Sequence, residues 1–212
     1  MGLRELKIVP LLGVIALSVC LQACSSKEVK VPYYNTADLT PTWQNSAEVH
    51  KVQDFSFTNQ EGEEVTNDAF EHKVYVANFF FTTCPGICPK MNANMKTVVE
   101  KYRSNDAVKF ISHSVTPYID SVPKLKEYAD MHGINSKQWH LVTGSKGDIY
   151  RLARQSYFAE NEIGFNADST EFLHTERFVL VDKNKQIRGV YNGTVSLEME
   201  RLVTDIDLLL KE

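Results

Sequence analysis

Hydrophobic and polar positions change period several times along the chain, and each change marks an element. Val74-Tyr75-Val76-Ala77-Asn78-Phe79-Phe80-Phe81 is an almost unbroken apolar, β-branched and aromatic run, the pattern of a strand covered on both faces. Upstream, Val52, Phe55 and Phe57 interleave with polar residues, Asn59-Gln60-Glu61-Gly62 reads as a turn and Glu64-Val65 resumes, which predicts a hairpin. Downstream, the pattern predicts a helix over about 85–103, a strand over 108–115, a helix over 121–131 ended by Gly133, and a short strand over 139–142. Residues 146–154 read as helix and 161–170 as a polar loop. Residues 176–182 and 186–191 form a strand pair around Lys183-Asn184-Lys185, and 197–210 a closing helix. This alternation predicts an α/β fold, a mixed sheet with helices on both faces and an N-terminal β-hairpin. The chain carries no internal repeat and no phosphate-binding glycine loop.

Before residue 50 the pattern is of another kind. Arg4 and Lys7 precede an apolar stretch over 8–19 that contains Pro10 and Gly13 and is shorter than the ~20 residues of a membrane span. Leu21-Gln22-Ala23-Cys24, followed by Ser25-Ser26, is similar to a bacterial lipobox, in which Cys24 becomes the lipidated first residue. Residues 1–24 therefore read as a lipoprotein-type signal peptide; the alternative, an uncleaved anchor, has too short an apolar length. Either way the globular part is expected in the cell envelope, membrane-held and facing the extracytoplasmic space, where disulfides persist. Residues 25–50 are polar, contain Pro32 and Pro41, and read as a tether reaching at most ~85 Å. Tyr33, Tyr34 and Trp43 offer a way for part of it to pack on the folded domain, 51–212.

The length of 212 residues allows one domain plus tails, and a net charge of −4 provides no basic footprint for nucleic acid. The four cysteines are Cys20, Cys24, Cys84 and Cys88. The last two belong to Cys84-Pro85-Gly86-Ile87-Cys88-Pro89, directly after the apolar run. With a helix starting near Pro85, Cys84 takes the cap position and Cys88 lies one turn along the same face. Two sulfurs so placed can share one ion or, with local adjustment, one disulfide. The helix N-terminus favours negative charge and lowers a thiol pKa. The plainer readings are two buried small hydrophobes or a structural disulfide. A junction bearing both prolines and both cysteines fits core filling poorly.

The thiol motif, the strand before it and Phe172-Leu173-His174-Thr175 resemble the Sco/SenC family, over roughly residues 50–210. The most specific part is Thr83-Cys84-Pro85-Gly86-Ile87-Cys88-Pro89, which matches the family's Cys-Pro-x-x-Cys-Pro signature. His174 stands about where the family places its histidine ligand. The resemblance implies a thioredoxin-like, membrane-held copper protein linked to assembly of the binuclear copper centre of cytochrome c oxidase. It implies copper, Cu(I) or Cu(II), held by Cys84, Cys88 and His174. The implied partners are the copper-bearing oxidase subunit or another copper acceptor, and a thiol reductant. One departure is visible: the family's Val-Asp-Pro is Val115-Thr116-Pro117 here, so Thr116 replaces a carboxylate in a loop away from the expected ligands.

Donor chemistry agrees with that implication. Thiolates are soft and imidazole accepts either oxidation state of copper, whereas structural zinc usually takes four protein ligands and only three candidates stand out. His50, His72, His113, His132 and His140 read as surface or satisfied histidines. Strand alternation leaves the facing of His113 open. Met91 and Met95 read as core filling. A thiol-disulfide oxidoreductase or peroxidase with Cys84 and Cys88 as its redox pair is the second reading. Three residues separate the cysteines where the usual reductase has two, and no proline follows Pro123 to supply that fold's cis-proline. A partner-binding domain with a structural Cys84–Cys88 disulfide is third. The balance favours a metallochaperone over an enzyme.

Overall fold

The computed structural model describes residues 30–44, 49–159 and 175–212. The chain divides into Met1–Lys30 and Val31–Glu212, and the fold described is that of the second unit. The signal segment with Cys20 and Cys24, and residues 160–174 with the expected 161–170 loop and His174, lie outside the described residues. No helix among the described residues is long and apolar enough to cross a membrane.

Alternation along one strand sets the layers. In β5 (Val74–Phe80) every residue is buried. Val74, Val76 and Phe80 join one apolar cluster, while Tyr75, Ala77 and Phe79 join the other. Each buried Val or Phe side chain contributes roughly 1.5–3 kcal/mol relative to exposure, so β5 is the strand from which both faces of the core are built. β6 (Val108–Ser114) lies parallel to β5, and β7 (Trp139–Thr143) parallel to β6. The hairpin of β3 (Ser56–Asn59) and β4 (Glu64–Thr66) adds antiparallel to β7. On the other side β8 (Arg177–Val181) pairs antiparallel with β5, and β9 (Ile187–Asn192) with β8. The sheet order is β4-β3-β7-β6-β5-β8-β9. Helices α1 (Cys88–Lys101), α2 (Val122–His132) and α4 (Ser196–Leu209) feed the first cluster, and α3 (Lys146–Arg151) feeds the second. This is the mixed α/β sheet with helices on both faces that the pattern predicts.

Three local features depart from the sequence expectation. First, α1 begins at Cys88, not near Pro85; Ile87 is its N-cap, Pro89 sits in the first turn, and the Met91 N–H bonds the Ile87 carbonyl. Pro85 and Gly86 are spent on the turn that precedes the helix, so Cys84 is a loop residue and not the cap. Second, the helix expected over 146–154 is α-helical only to Arg151 and widens into a π turn over Leu152–Ser156, which delivers Tyr157 to the sheet face beside Phe79 and His113. Third, part of the expected 25–50 tether is folded. β1 (Tyr33–Tyr34) and β2 (Pro41–Thr42) form a second small hairpin, and Val31 is buried in the first cluster. Arg188 is the cause: it donates to the carbonyls of Val31 and Pro32 and lies 4.0 Å from the Tyr33 ring centroid. Asp182 and Glu212 neutralise it from the other side.

Candidate metal and thiol site

β5 ends at Phe80, and its exit is held from the neighbouring strand. The Val115 N–H donates to the Phe80 carbonyl, and the Thr82 N–H and hydroxyl both donate to Asp120. The Cys84 N–H then turns back to the Phe81 carbonyl at 3.3 Å. Cys88 follows as the first residue of α1, 5% exposed and packed in the cluster that holds Phe80, Met91 and Met95, with Cys84 partly exposed at its margin. Met91 and Met95 are therefore core residues, as expected.

Both cysteines are free thiols, and each shifts the acidity of the other. Burial works to raise the Cys84 thiol, but the Cys88 S–H and the backbone N–H groups of Cys88, Gly86 and Ile87 outweigh it, so Cys84 ionises below its ordinary value. The direction is the one expected of a helix cap, but the cause differs: Cys84 is not the cap, and hydrogen bonding from Cys88, Gly86 and Ile87 lowers it. Cys88 moves the other way: burial raises it, and donating to Cys84 raises it further. The site is therefore an asymmetric pair, a partly exposed sulfur that ionises below its ordinary value beside a buried one that ionises above it.

Around the pair lie polar groups that the sequence pattern did not single out. Tyr128 is pushed up to about 12, chiefly by burial and then by the Cys88, Cys84 and Asp120 charges. A cavity of about 10 Å³ beside Cys88 is bordered by Tyr128, Asn78, Ser112 and Trp139. There the Trp139 indole N–H donates to Ser112, which donates to Asn78. Asp120 is fully buried and also accepts from the hydroxyls of Ser114 and Thr116. The signal for this carboxylate was a run of hydroxyl residues at the end of a strand and just past it, Ser112, Ser114 and Thr116, with an Asp closing the loop. Such residues commonly bond locally.

The expected histidine ligand, His174, lies outside the described residues, as does the lipidation candidate Cys24. β8 is antiparallel to β5 with Val179 opposite Ala77, so the chain enters β8 at the end of the sheet from which β5 leads to Cys84. Arg177 opens β8, shortly after His174 in sequence. Among the described residues no group of three His, Cys, Asp or Glu side chains is placed to hold a metal ion. His113 is excluded from the thiol side. It pairs with Phe79 across β5 and β6 and lies in the aromatic cluster on the opposite sheet face from Cys88. His50 bonds the Ser156 carbonyl, His132 packs tilted against Tyr128, and His72 is exposed.

Comparison with known proteins finds relatives of this chain and of its fold. The SCO1/SenC family model matches residues 44–211. The SCO1 protein homolog of Bacillus subtilis (strain 168) is 29% identical over 196 residues, 92% of each chain. A SCO1/SenC family lipoprotein from Bacillus anthracis str. Ames superposes with a TM-score of 0.66 at 29% identity, over 76% of this chain and 95% of that one. BsSco, a member of the Sco family of cytochrome c oxidase assembly proteins in which a disulfide switch was identified, gives 0.63 at 27%, over 76% and 94%. Bradyrhizobium japonicum ScoI, solved with copper bound, shares the fold with a TM-score of 0.59 at 22% identity, over 75% and 99%.

Proposed function

The chain belongs to the SCO1/SenC family, and from that premise we propose that it is a membrane-tethered copper carrier. In this reading it delivers copper to, or keeps reduced the thiols of, the binuclear copper site of cytochrome c oxidase during assembly. The observation that carries the reading is the pair of free thiols at the junction of β5 and α1, Cys84 in the loop and Cys88 as the first residue of the helix. Copper is the cargo. Cys84 and Cys88 supply soft thiolates and His174 the imidazole, a donor set suited to copper. Cys84 surrenders its proton readily, whereas Cys88 surrenders its proton only against the charge of the incoming metal, so loading releases protons and weakens as pH falls. Cys24 carries the lipid anchor in the cell envelope. With Val31 already packed on the domain, about 23 Å of chain at most separates that anchor from the fold, at ~3.3 Å per residue. Membrane confinement raises the effective concentration of the acceptor without new contacts.

Anaerobic titration of the reduced protein tests the site. Wild type is expected to bind one copper, Cu(II) giving an intense thiolate charge-transfer band; His174→Ala weakens binding and either cysteine to serine nearly abolishes it. Equal binding by wild type and Cys84→Ser/Cys88→Ser overturns the reading. In cells, Cys24→Ser and His174→Ala are expected to lose oxidase activity when copper is scarce and to regain it with added copper. The second reading, thiol–disulfide exchange, is favoured by the split acidity of the pair, which resembles an attacking and a resolving thiol. It has no use for an imidazole ligand, so normal oxidase activity in His174→Ala under copper limitation would select it.

A further inference from the structure

We propose that Asp120 is the positioning residue of the thiol pair. Its carboxylate is fully buried, and among the described residues it makes no ion pair; its partners are hydroxyls and a backbone N–H. A buried charge so placed is costly unless its acceptor sites are filled. Here they are filled from three segments at once. Thr82 donates from the exit of β5, Ser114 from the end of β6, and Thr116 from the loop that follows.

The two sulfurs are held by different means. Cys88 is the first residue of α1 and is packed in the core, so the helix fixes it. Cys84 sits on the short stretch between β5 and that helix, partly exposed, with its own N–H on the Phe81 carbonyl. Asp120 clamps this stretch through both donors of Thr82, two residues before Cys84. How often Cys84 faces Cys88 therefore depends on Asp120, and so does the effective concentration of one thiol at the other. Thr116, where the family commonly has a carboxylate, fits the same arrangement, since its hydroxyl donates to Asp120 at 3.0 Å. The inference rests on Cys84 and Cys88 acting as a pair, not on which cargo they take.

Equilibration with glutathione reads that effective concentration without any metal. Each event oxidises the two protein thiols to one S–S bond and reduces one glutathione disulfide to two thiols, so atoms and electrons balance. Asp120→Ala and Thr82→Val are each expected to lower the equilibrium constant for disulfide formation about tenfold, the scale of one charge-assisted hydrogen bond. The double variant adds little, because both changes break one clamp. Asp120→Asn keeps an oxygen acceptor for Thr82 and stays within about threefold of wild type. Ser114→Ala, which removes a donor without releasing Thr82, lowers the urea midpoint and leaves the constant unchanged. Unmoved constants in Thr82→Val and Asp120→Ala with the fold intact would overturn the role of Asp120 alone, as would an equal shift in Ser114→Ala. A wild type that never equilibrates with glutathione sinks the reading of the pair and this inference with it.

Discussion

Replacing His113 with leucine should remove a large part of the acid sensitivity of this fold. His113 is fully buried, and neither ring nitrogen has a hydrogen-bond partner among the described residues. Aromatic rings surround it, with centroids at 5.1 Å for Phe79, 5.4 Å for Phe57, 5.7 Å for Tyr157 and 5.9 Å for Phe55. Burial depresses it from 6.5 to about 3. Between those values the unfolded chain binds a proton that the folded chain refuses. Stability is therefore complete above the unfolded pKa and falls as pH drops, by about 1.4 kcal/mol per unit. At pH 5 the loss reaches about 2 kcal/mol. At pH 7.5 two effects oppose each other: leucine removes two unpaired nitrogens, worth about 1–3 kcal/mol, and forfeits ring contacts worth about 0.5–1.5 kcal/mol. The neutral-pH comparison is thus a weak discriminator and the slope a strong one. Urea unfolding followed by tryptophan fluorescence at pH 7.5 and 5.0 gives that slope. Burial also lowers His132 and His140, so the variant keeps a residual slope. The difference between the two proteins isolates His113. Parallel loss of stability in wild type and His113→Leu would refute the argument.

Alkylation of the reduced protein with iodoacetamide near neutral pH should label Cys84 first, with a rate midpoint below the ordinary thiol value, and leave Cys88 unmodified; peptide mapping that finds Cys88 labelled first contradicts the assigned acidities. Arg188→Met should cost about 3 kcal/mol in urea unfolding, because it strands Asp182, a 5% exposed carboxylate that then keeps, among the described residues, only the N–H groups of Asn184 and Gln186. A loss under about 1 kcal/mol would mean the Arg188 network is not a buried one. Oxidising Cys84 and Cys88 to a disulfide should shift the thermal midpoint only modestly, since so short a loop removes little unfolded-state entropy. Loss of the cooperative transition on reduction would favour the structural-disulfide reading.

Much of the architecture was legible because it is written in local periodicity. The unbroken apolar run of β5, the stop of α2 at Gly133 (φ 65°) and the β8–β9 pair all follow from patterns a few residues long. The thiol motif was equally legible, since cysteine spacing between a strand and a helix is a local fact. Less visible was the start of α1: a helix from Pro85 and one from Cys88 both satisfy the proline rule, and the choice depends on how the preceding turn is held.

What only the tertiary structure decided are the relations between residues distant in sequence. The facing of His113 follows from the register that sets it opposite Phe79, and a slip of one residue would have sent it to the thiol side. The fate of residues 31–44 depends on Arg188, about 155 residues away, whose buried guanidinium needs carbonyl acceptors that this segment supplies. Asp120 reads in sequence as one more loop carboxylate, and becomes the clamp on Thr82 only once parallel pairing brings the ends of β5 and β6 together. Periodicity determines which face of an element is apolar, because that depends on neighbours along the chain. The identity of a partner across the core depends on register and on the cost of leaving a buried donor or charge unpaired, and those terms exist only after the chain has folded.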